Sequence, residues 1–357
     1  MKRPRARDVG IKLGELPTGK DNALTDVPSV KIGHTSLIKE VNDVKATKAI
    51  RTGVTAILPH DRNLYQHKVR AAVHIINGYG KSVGLPQIRE LGEIETPIML
   101  TNTLNVWRVA DALVSYMIET TEDNIRSINP VVGECNDGYL NDIQGRHVTE
   151  AHVRHAIDSA TKDTREGTIG AGVGMSAFGL KGGIGMASRR ILEGEYHLGV
   201  LVLSNFGRLD NLRICVPVGK QLKEAMHTEG ASTDGSIMII VGTNAPVSYR
   251  QLTRILNRVP HGLARTGSVS HHESGDFAIG FVSDPEGKGQ IDENDLSTFF
   301  QATVESVEEA VINSILRAET VIGRKNHKRE AISIETLTDI LRDHRLLDEK
   351  SRHDRSF

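Results

Sequence analysis

The stretch that most constrains this chain is Asp234-Gly235-Ser236-Ile237-Met238-Ile239-Ile240-Val241. It is a small turn followed by a short apolar run, rich in β-branched residues and bounded by Gly235 and Gly242. That pattern predicts a buried strand. A serine opening such a strand carries a hydroxyl that must find a partner or do chemistry. Were the Gly235–Ser236 bond cut, Ser236 would hold both a hydroxyl nucleophile and a free α-amine. Such an amine titrates at roughly 7.7–8.0, within reach of a base's role at neutral pH. A plain turn-to-strand junction would read the same way in sequence.

The rest of the chain alternates strand and helix signals without a strict βαβ order. Val30–His34, Gly53–Pro59, Pro97–Thr103, Pro130–Gly133, Tyr196–Phe206, Asn211–Val218 and Phe277–Val282 read as strands. Ala71–Gly92 is Gly-rich, and Gly262–Gly267 reads as a turn-rich connection. Val106, Val109, Ala110, Leu113, Val114, Met117 and Ile118 recur with helical spacing, with Asn105 as a cap. Thr149–Thr161, a segment capped by Ser248, Asp295–Ala318 and Thr336–Asp343 are further predicted helices, and Gln221–Ser232 is a short helix or a loop. In the Asp295–Ala318 helix, Phe300, Val304, Val307, Val311 and Ile315 are expected to face inward. Lys2–Lys20 and Arg345–Phe357 read as charged, solvated ends. With no linker and no repeat, the pattern predicts one α/β domain over residues 1–357, helices covering mixed or antiparallel sheet.

Composition narrows the function. Lys and Arg (44) nearly balance Asp and Glu (45), so no global field attracts nucleic acid or an anionic membrane, and aromatic residues at 4% offer few stacking platforms for bases. No run of eighteen apolar residues occurs, and the basic N-terminal stretch lacks an apolar core, so a cytoplasmic protein is expected. Two cysteines, Cys135 and Cys215, and scattered histidines supply neither a disulfide framework nor a metal-ligand spacing, so no metal and no cofactor is expected.

Several polar residues stand out beside Ser236. The glycine run Gly170–Lys181 fails the P-loop spacing, because Leu180 precedes Lys181 and Gly182 follows it. It reads as a glycine-rich turn near a site. Cys135 has no nearby histidine and reads as an inert core thiol. Glu134 and Asp137 fit either an acid pair or turn residues. Ser274 and Asp276, at i and i+2, share a face if extended and can hydrogen-bond, as a proton relay or as capping. Asn205 ends an apolar strand with an amide that needs partners or waits for an anion.

Together these stretches resemble the DmpA-like family of L-aminopeptidase/D-esterases and β-peptidyl aminopeptidases. The resemblance is carried by Asn22–Pro28, Ile76–Lys81, Thr96–Thr103, Gly133–Gly138, Gly170–Gly172 with Lys181–Gly185, Gly235-Ser236-Ile237 and Ser274-Gly275-Asp276, in the family's order. It implies a four-layer α-β-β-α sandwich of the type shared with ornithine acetyltransferases. It also implies a precursor that cuts itself between Gly235 and Ser236, giving chains 1–235 and 236–357. Ser236 would then be the nucleophile, its α-amine or Ser274 the proton acceptor, Asp276 the group that orients Ser274, and Asn205 the oxyanion donor. Glu134 would bind the substrate's ammonium group, with Asn136 beside it where some members carry Tyr. The implied activity is removal of an N-terminal residue from small peptides, amides or esters, by a tetramer of cleaved pairs. Acyl transfer, as in the ornithine acetyltransferases, and a non-cleaving scaffold are the two other readings. His271-His272 matches no motif.

Overall fold

A computed structural model describes residues 3–40, 48–227, 235–284 and 290–347. Asp234, residues 228–232 and the tail beyond residue 347, each read from sequence above, lie outside the described residues. In chain order the first strands are β1 (Lys31–Glu40), β2 (Ala49–Leu58), β3 (Val69–Gly78), β4 (Glu93–Ile94), β5 (Ile98–Asn102) and β6 (Val131–Cys135). Next come β7 (Ser176–Ala177), β8 (Leu180–Lys181), β9 (Gly183–Ile191), β10 (Tyr196–Asn205), β11 (Arg213–Ile214) and β12 (Val216–Pro217). The last are β13 (Gly235–Thr243), β14 (Ser274–Val282), β15 (Val321–Ile322) and β16 (Lys328–Arg329). The helices are α1 (Leu85–Leu91), α2 (Val106–Thr120), α3 (Glu150–Asp158), α4 (Gly219–Met226), α5 (Tyr249–Leu256), α6 (Val259–Arg265), α7 (Leu296–Leu316) and α8 (Ile334–Asp343).

Two sheets carry the architecture. One has the order β1-β2-β5-β6, the other β4-β3-β14-β13-β10-β9. Both are mixed: β5 runs parallel to β6 and β13 parallel to β14, and the remaining neighbours are antiparallel. The strand Gly235–Thr243 is central, and its alternation explains its composition. Ile237, Ile239 and Val241 point into a core shared with α5, α6 and α7. Met238 and Ile240 point the other way, into the core between the two sheets. A third cluster joins the four-stranded sheet to α2 and α3. Both faces of each sheet are thus covered, giving the four-layer α-β-β-α sandwich. A strand buried on both faces has no need of polar alternation, which is why this run reads as continuously apolar.

Four expectations are corrected. Residues 3–20 are no loose arm. Ala6, Val9, Ile11 and Leu13 are buried, Arg5 Nε pairs with Glu166 at 2.5 Å and Arg7 Nε with Glu309 at 2.7 Å. Those charges are drawn inward by carboxylates, and Arg189, itself fully buried, binds Glu305 and Glu309 at 2.8 and 2.7 Å and donates to the Leu13 carbonyl at 2.5 Å. Helix α7 is buried around most of its circumference, with Glu305 and Glu309 facing this network, while Phe300 and Val304 are only partly buried. Asn211–Val218 is a two-strand hairpin reversed at Cys215, whose φ is 60°. Gly262–Arg265 lies in α6 rather than a turn, its glycine allowing close approach to the Val304 carbonyl. Asn105 does hold the N-cap position of α2, but its side chain makes no capping bond; Asn102, the cap of the short 3-10 turn Thr103–Asn105 before it, accepts from the Asn105 N–H through Oδ1 at 3.1 Å.

Candidate active site

Antiparallel pairing of β10 with β13 sets Asn205 opposite Ser236 at the ends of two central strands. Parallel pairing of β13 with β14 sets Ser236 beside Gly275. From the other sheet, Gly133 faces Met238, where a Cβ would lie 2.5 Å from the methionine Cε. This missing side chain lets β6 close on β13, and the next residue, Glu134, reaches the same cavity. That cavity, of about 410 Å³, is lined by Ser236, Gly235, Asn205, Glu134 and Asn136 among others. It brings together five of the seven residues singled out in sequence.

Each is held in place. The Ser236 hydroxyl, on a residue only 5% exposed, donates to the Gly235 carbonyl oxygen at 2.6 Å. Glycine is required at 235, since a Cβ there would lie 2.7 Å from the Asn205 carbonyl oxygen and from Phe206 Cα. The Asn205 Oδ1 accepts from the Ser176 N–H at 2.8 Å, and its Nδ2 donates to the Asn136 carbonyl at 2.9 Å. An amide nitrogen has two N–H groups, so one donor remains for an anion in the cavity. Glu134 accepts from the Lys81 N–H at 2.9 Å through Oε1 and from the Thr103 hydroxyl through Oε2. A carboxylate has about four lone-pair sites, so capacity remains for a cation. The Asn136 side chain is turned away into its own loop, accepting from the Gly138 N–H at 2.9 Å.

Ser274 and Asp276 share one face of β14, as their i, i+2 spacing predicts, but it is not the face that meets Ser236. They do hydrogen-bond, Ser274 Oγ donating to Asp276 Oδ1 at 2.5 Å. However, neither lines the cavity. Strand alternation puts the residue between them, Gly275, on the Ser236 face, where a Cβ would come 3.2 Å from Ser236 Oγ. The pair therefore occupies the opposite face of β14, beside the backbone of residues 235–237. Burial pushes the Asp276 carboxyl up, partly offset by the Ser274 hydrogen bond. Asn77 on β3 braces this corner, donating to the carbonyls of His271 at 3.1 Å, His272 at 3.0 Å and Ser274.

Other sequence candidates fall outside the cavity. Burial pushes the Cys135 thiol well up, and its Sγ donates to the Leu203 carbonyl at 3.4 Å. Asp137 is fully buried, held by Asn102 and Asn141, with burial raising its pKa to about 6. Lys181 is buried, donates to the carbonyls of Gly172 and Gly182, and burial lowers its pKa to about 7. The glycine run thus folds as a backbone acceptor for Lys181, with Ser176 and Gly179 from the same segment in the cavity wall. Among the described residues no group of three or more His, Cys, Asp or Glu could hold a metal ion.

Sequence reasoning missed Tyr79, Lys81, Thr103, Tyr139, Ser176, Glu273 and Arg329 in the cavity wall. Tyr79, Lys81 and Thr103 lie inside stretches that carried the family resemblance. Arg329 had no local signal at all.

A buried serine hydroxyl beside a free amide donor and a carboxylate, on a four-layer α-β-β-α frame, defines an N-terminal-nucleophile hydrolase of the serine aminopeptidase class. The chain belongs to Peptidase family S58, whose model matches residues 22–329. It is 35% identical over 372 residues to the beta-peptidyl aminopeptidase BapA of Sphingosinicella microcystinivorans, covering 96% of this chain and 93% of that protein. Among solved structures, the PH0078 protein of Pyrococcus horikoshii OT3 superimposes with a TM-score of 0.88 at 47% identity, covering 96% of this chain and 99% of that one. The L-aminopeptidase D-Ala-esterase/amidase of Ochrobactrum anthropi, described as a prototype of the serine aminopeptidases and a variant of the Ntn hydrolase fold, gives 0.86 at 34% identity. That match covers 97% of this chain and all of that one.

Proposed function

We propose that this protein matures by cutting its own Gly235–Ser236 bond and then removes the N-terminal residue from small peptides, amides or esters that carry a free amine. The observation that carries the reading is the joint position of Ser236, Asn205 and Glu134 in one cavity, with the Ser236 hydroxyl 2.6 Å from the carbonyl oxygen of the bond to be cut.

In maturation, Ser236 Oγ adds to the Gly235 carbonyl carbon, the C–N bond breaks, and the serine nitrogen takes the proton to become an amine. Water then hydrolyses the resulting ester, freeing the Gly235 carboxylate and the Ser236 hydroxyl, and leaving chains 1–235 and 236–357 as one folded unit. A serine hydroxyl is a weak nucleophile until a base lies within reach, and the new α-amine supplies it. In turnover Ser236 Oγ attacks the substrate carbonyl and its proton passes to that amine. The free Asn205 N–H stabilises the oxyanion, and Glu134 holds the substrate ammonium. Collapse expels the leaving amine or alcohol, which takes the proton back. Water then releases the acyl group and restores Ser236. Ser274 and Asp276, behind the backbone at 235–237, act on the α-amine rather than on the hydroxyl.

The balanced charge of the chain supports small substrates rather than nucleic acid, and among the described residues no helix is long and apolar enough to cross a membrane. We assign it to the cytoplasm, as a homo-oligomer of cleaved pairs. The test is release of a free amino acid from α- and β-linked dipeptides by purified protein. Release by wild type and its loss in Ser236→Ala are expected. Full activity in Ser236→Ala would overturn the reading.

A further inference from the structure

One cation of the cavity has no part in the chemistry above. Arg329, on β16, reaches the wall from a segment more than ninety residues beyond Ser236. Its Nε donates to Ser176 Oγ at 3.1 Å. Its guanidinium lies over the Tyr139 ring, 3.6 Å from the centroid, and that ring stacks on His327 at 4.5 Å. Among the described residues no carboxylate pairs with it. The adjacent Glu330 is engaged by Lys328 at 2.5 Å. A guanidinium carries five N–H donors in a planar fork suited to a carboxylate. Holding one half-buried, stacked and without a counter-ion costs desolvation that a ligand anion would return.

Hydrogen bonds along the wall give an order. Glu134 is anchored by Lys81 and Thr103 at one end. Two residues on, the Asn136 carbonyl accepts from Asn205, Asn205 accepts from the Ser176 N–H, and the Ser176 hydroxyl accepts from Arg329. The sequence of groups is therefore carboxylate, oxyanion donor, guanidinium. A dipeptide presents the complementary sequence: ammonium, scissile carbonyl, carboxylate.

We propose that Arg329 binds the C-terminal carboxylate of the leaving group, making dipeptides with a free C-terminus the preferred substrates. This rests on the aminopeptidase reading and specifies its substrate class. Each further residue moves the carboxylate by up to ~3.3–3.6 Å, so the preference declines with peptide length. Tyr139 acts as a positioning residue that keeps the guanidinium flat against the wall.

The experiment compares kcat/KM for a dipeptide and its C-terminal amide in wild type, Arg329→Gln and Arg329→Lys. Wild type is expected to favour the free acid at least tenfold, Arg329→Gln to bring the ratio to within about threefold of one, and Arg329→Lys to recover part of it. A side chain that merely supports the wall would lower both substrates together and leave the ratio unchanged, which would overturn the proposal. A wild-type ratio near one would overturn it without any variant. Competitive inhibition of the mature wild-type and Arg329→Gln enzymes by a non-hydrolysable isostere of the same dipeptide, as free acid and as C-terminal amide, gives the ratio without turnover. Absent turnover would then count against the aminopeptidase reading, while equal binding of acid and amide would count against Arg329.

Discussion

Replacing Glu134 with glutamine removes one charge and little else. In the structure its carboxylate accepts from the Lys81 N–H and the Thr103 hydroxyl. Glutamine can reproduce both contacts, its carbonyl accepting from Lys81 and its amide donating to a threonine hydroxyl that can turn to accept. The fold around β6 is therefore kept. What is lost is attraction for a substrate ammonium. Two unit charges 4 Å apart at an effective dielectric of 20 interact by about 4 kcal/mol. The Lys81 ammonium on the same rim, 4.4 Å from the Tyr79 ring centroid, offsets part of that. Glu134 is only 3% exposed, so its pair with an ammonium falls in the class whose broken member costs roughly 2–5 kcal/mol. About 3 kcal/mol corresponds to roughly 10²-fold. The assay is kcat/KM for an amino-acid p-nitroanilide and its N-acetyl form. Wild type should favour the free amine by at least about 10²-fold, and Glu134→Gln should compress that ratio to within about tenfold, chiefly by weakening the amine substrate. Equal rates for both substrates in wild type would refute the ammonium site. A Glu134→Gln enzyme that loses both substrates equally would refute the assignment to Glu134.

Asn205→Ala should lower kcat by roughly 10²–10³ with little change in KM, and a pure KM effect would mean that Asn205 only holds the bound ground state. Ser274→Ala should cost about 10²-fold or more in kcat and move the acidic limb of the pH–rate profile, where the α-amine loses its proton to become the base, as expected of a group acting on that amine; an unchanged rate and profile would return the Ser274–Asp276 pair to capping. Burial lowers the Lys181 pKa from 10.5 to about 7, so between those values the unfolded chain binds the extra proton and stability rises with pH. The stability of wild type relative to Lys181→Met, followed by denaturant titration, should therefore climb from pH 7 to 9 by up to about 1.4 kcal/mol per unit, and a pH-independent difference would contradict the depressed pKa of this buried lysine.

What the chain discloses in sequence follows from whether an interaction is local. The strand Gly235–Thr243 and helix α2 were legible because their apolar spacing alone specifies them. The four-layer arrangement came through the resemblance, since periodicity alone does not say which sheets stack. The N-terminal segment was misread because its charged residues look solvated until Glu166, Glu305 and Glu309 are brought to them across 161 to 302 positions. Ser236, Asn205 and Glu134 could be singled out as polar residues ending apolar strands. Ser274 and Asp276 could be paired, yet their face relative to Ser236 depended on the register of β13 with β14, which no local pattern reveals. Arg329 and Ser176 became visible as site residues only when a short hairpin and a glycine-rich turn met in the cavity wall.

The most direct test is the intact mass of the purified protein, with N-terminal sequencing of any smaller fragment. The account predicts two chains, 1–235 and 236–357, the second beginning at Ser236, and a single uncut chain for Ser236→Ala. A wild-type protein that stays whole after long incubation while still releasing amino acids from peptides would contradict the N-terminal-serine mechanism.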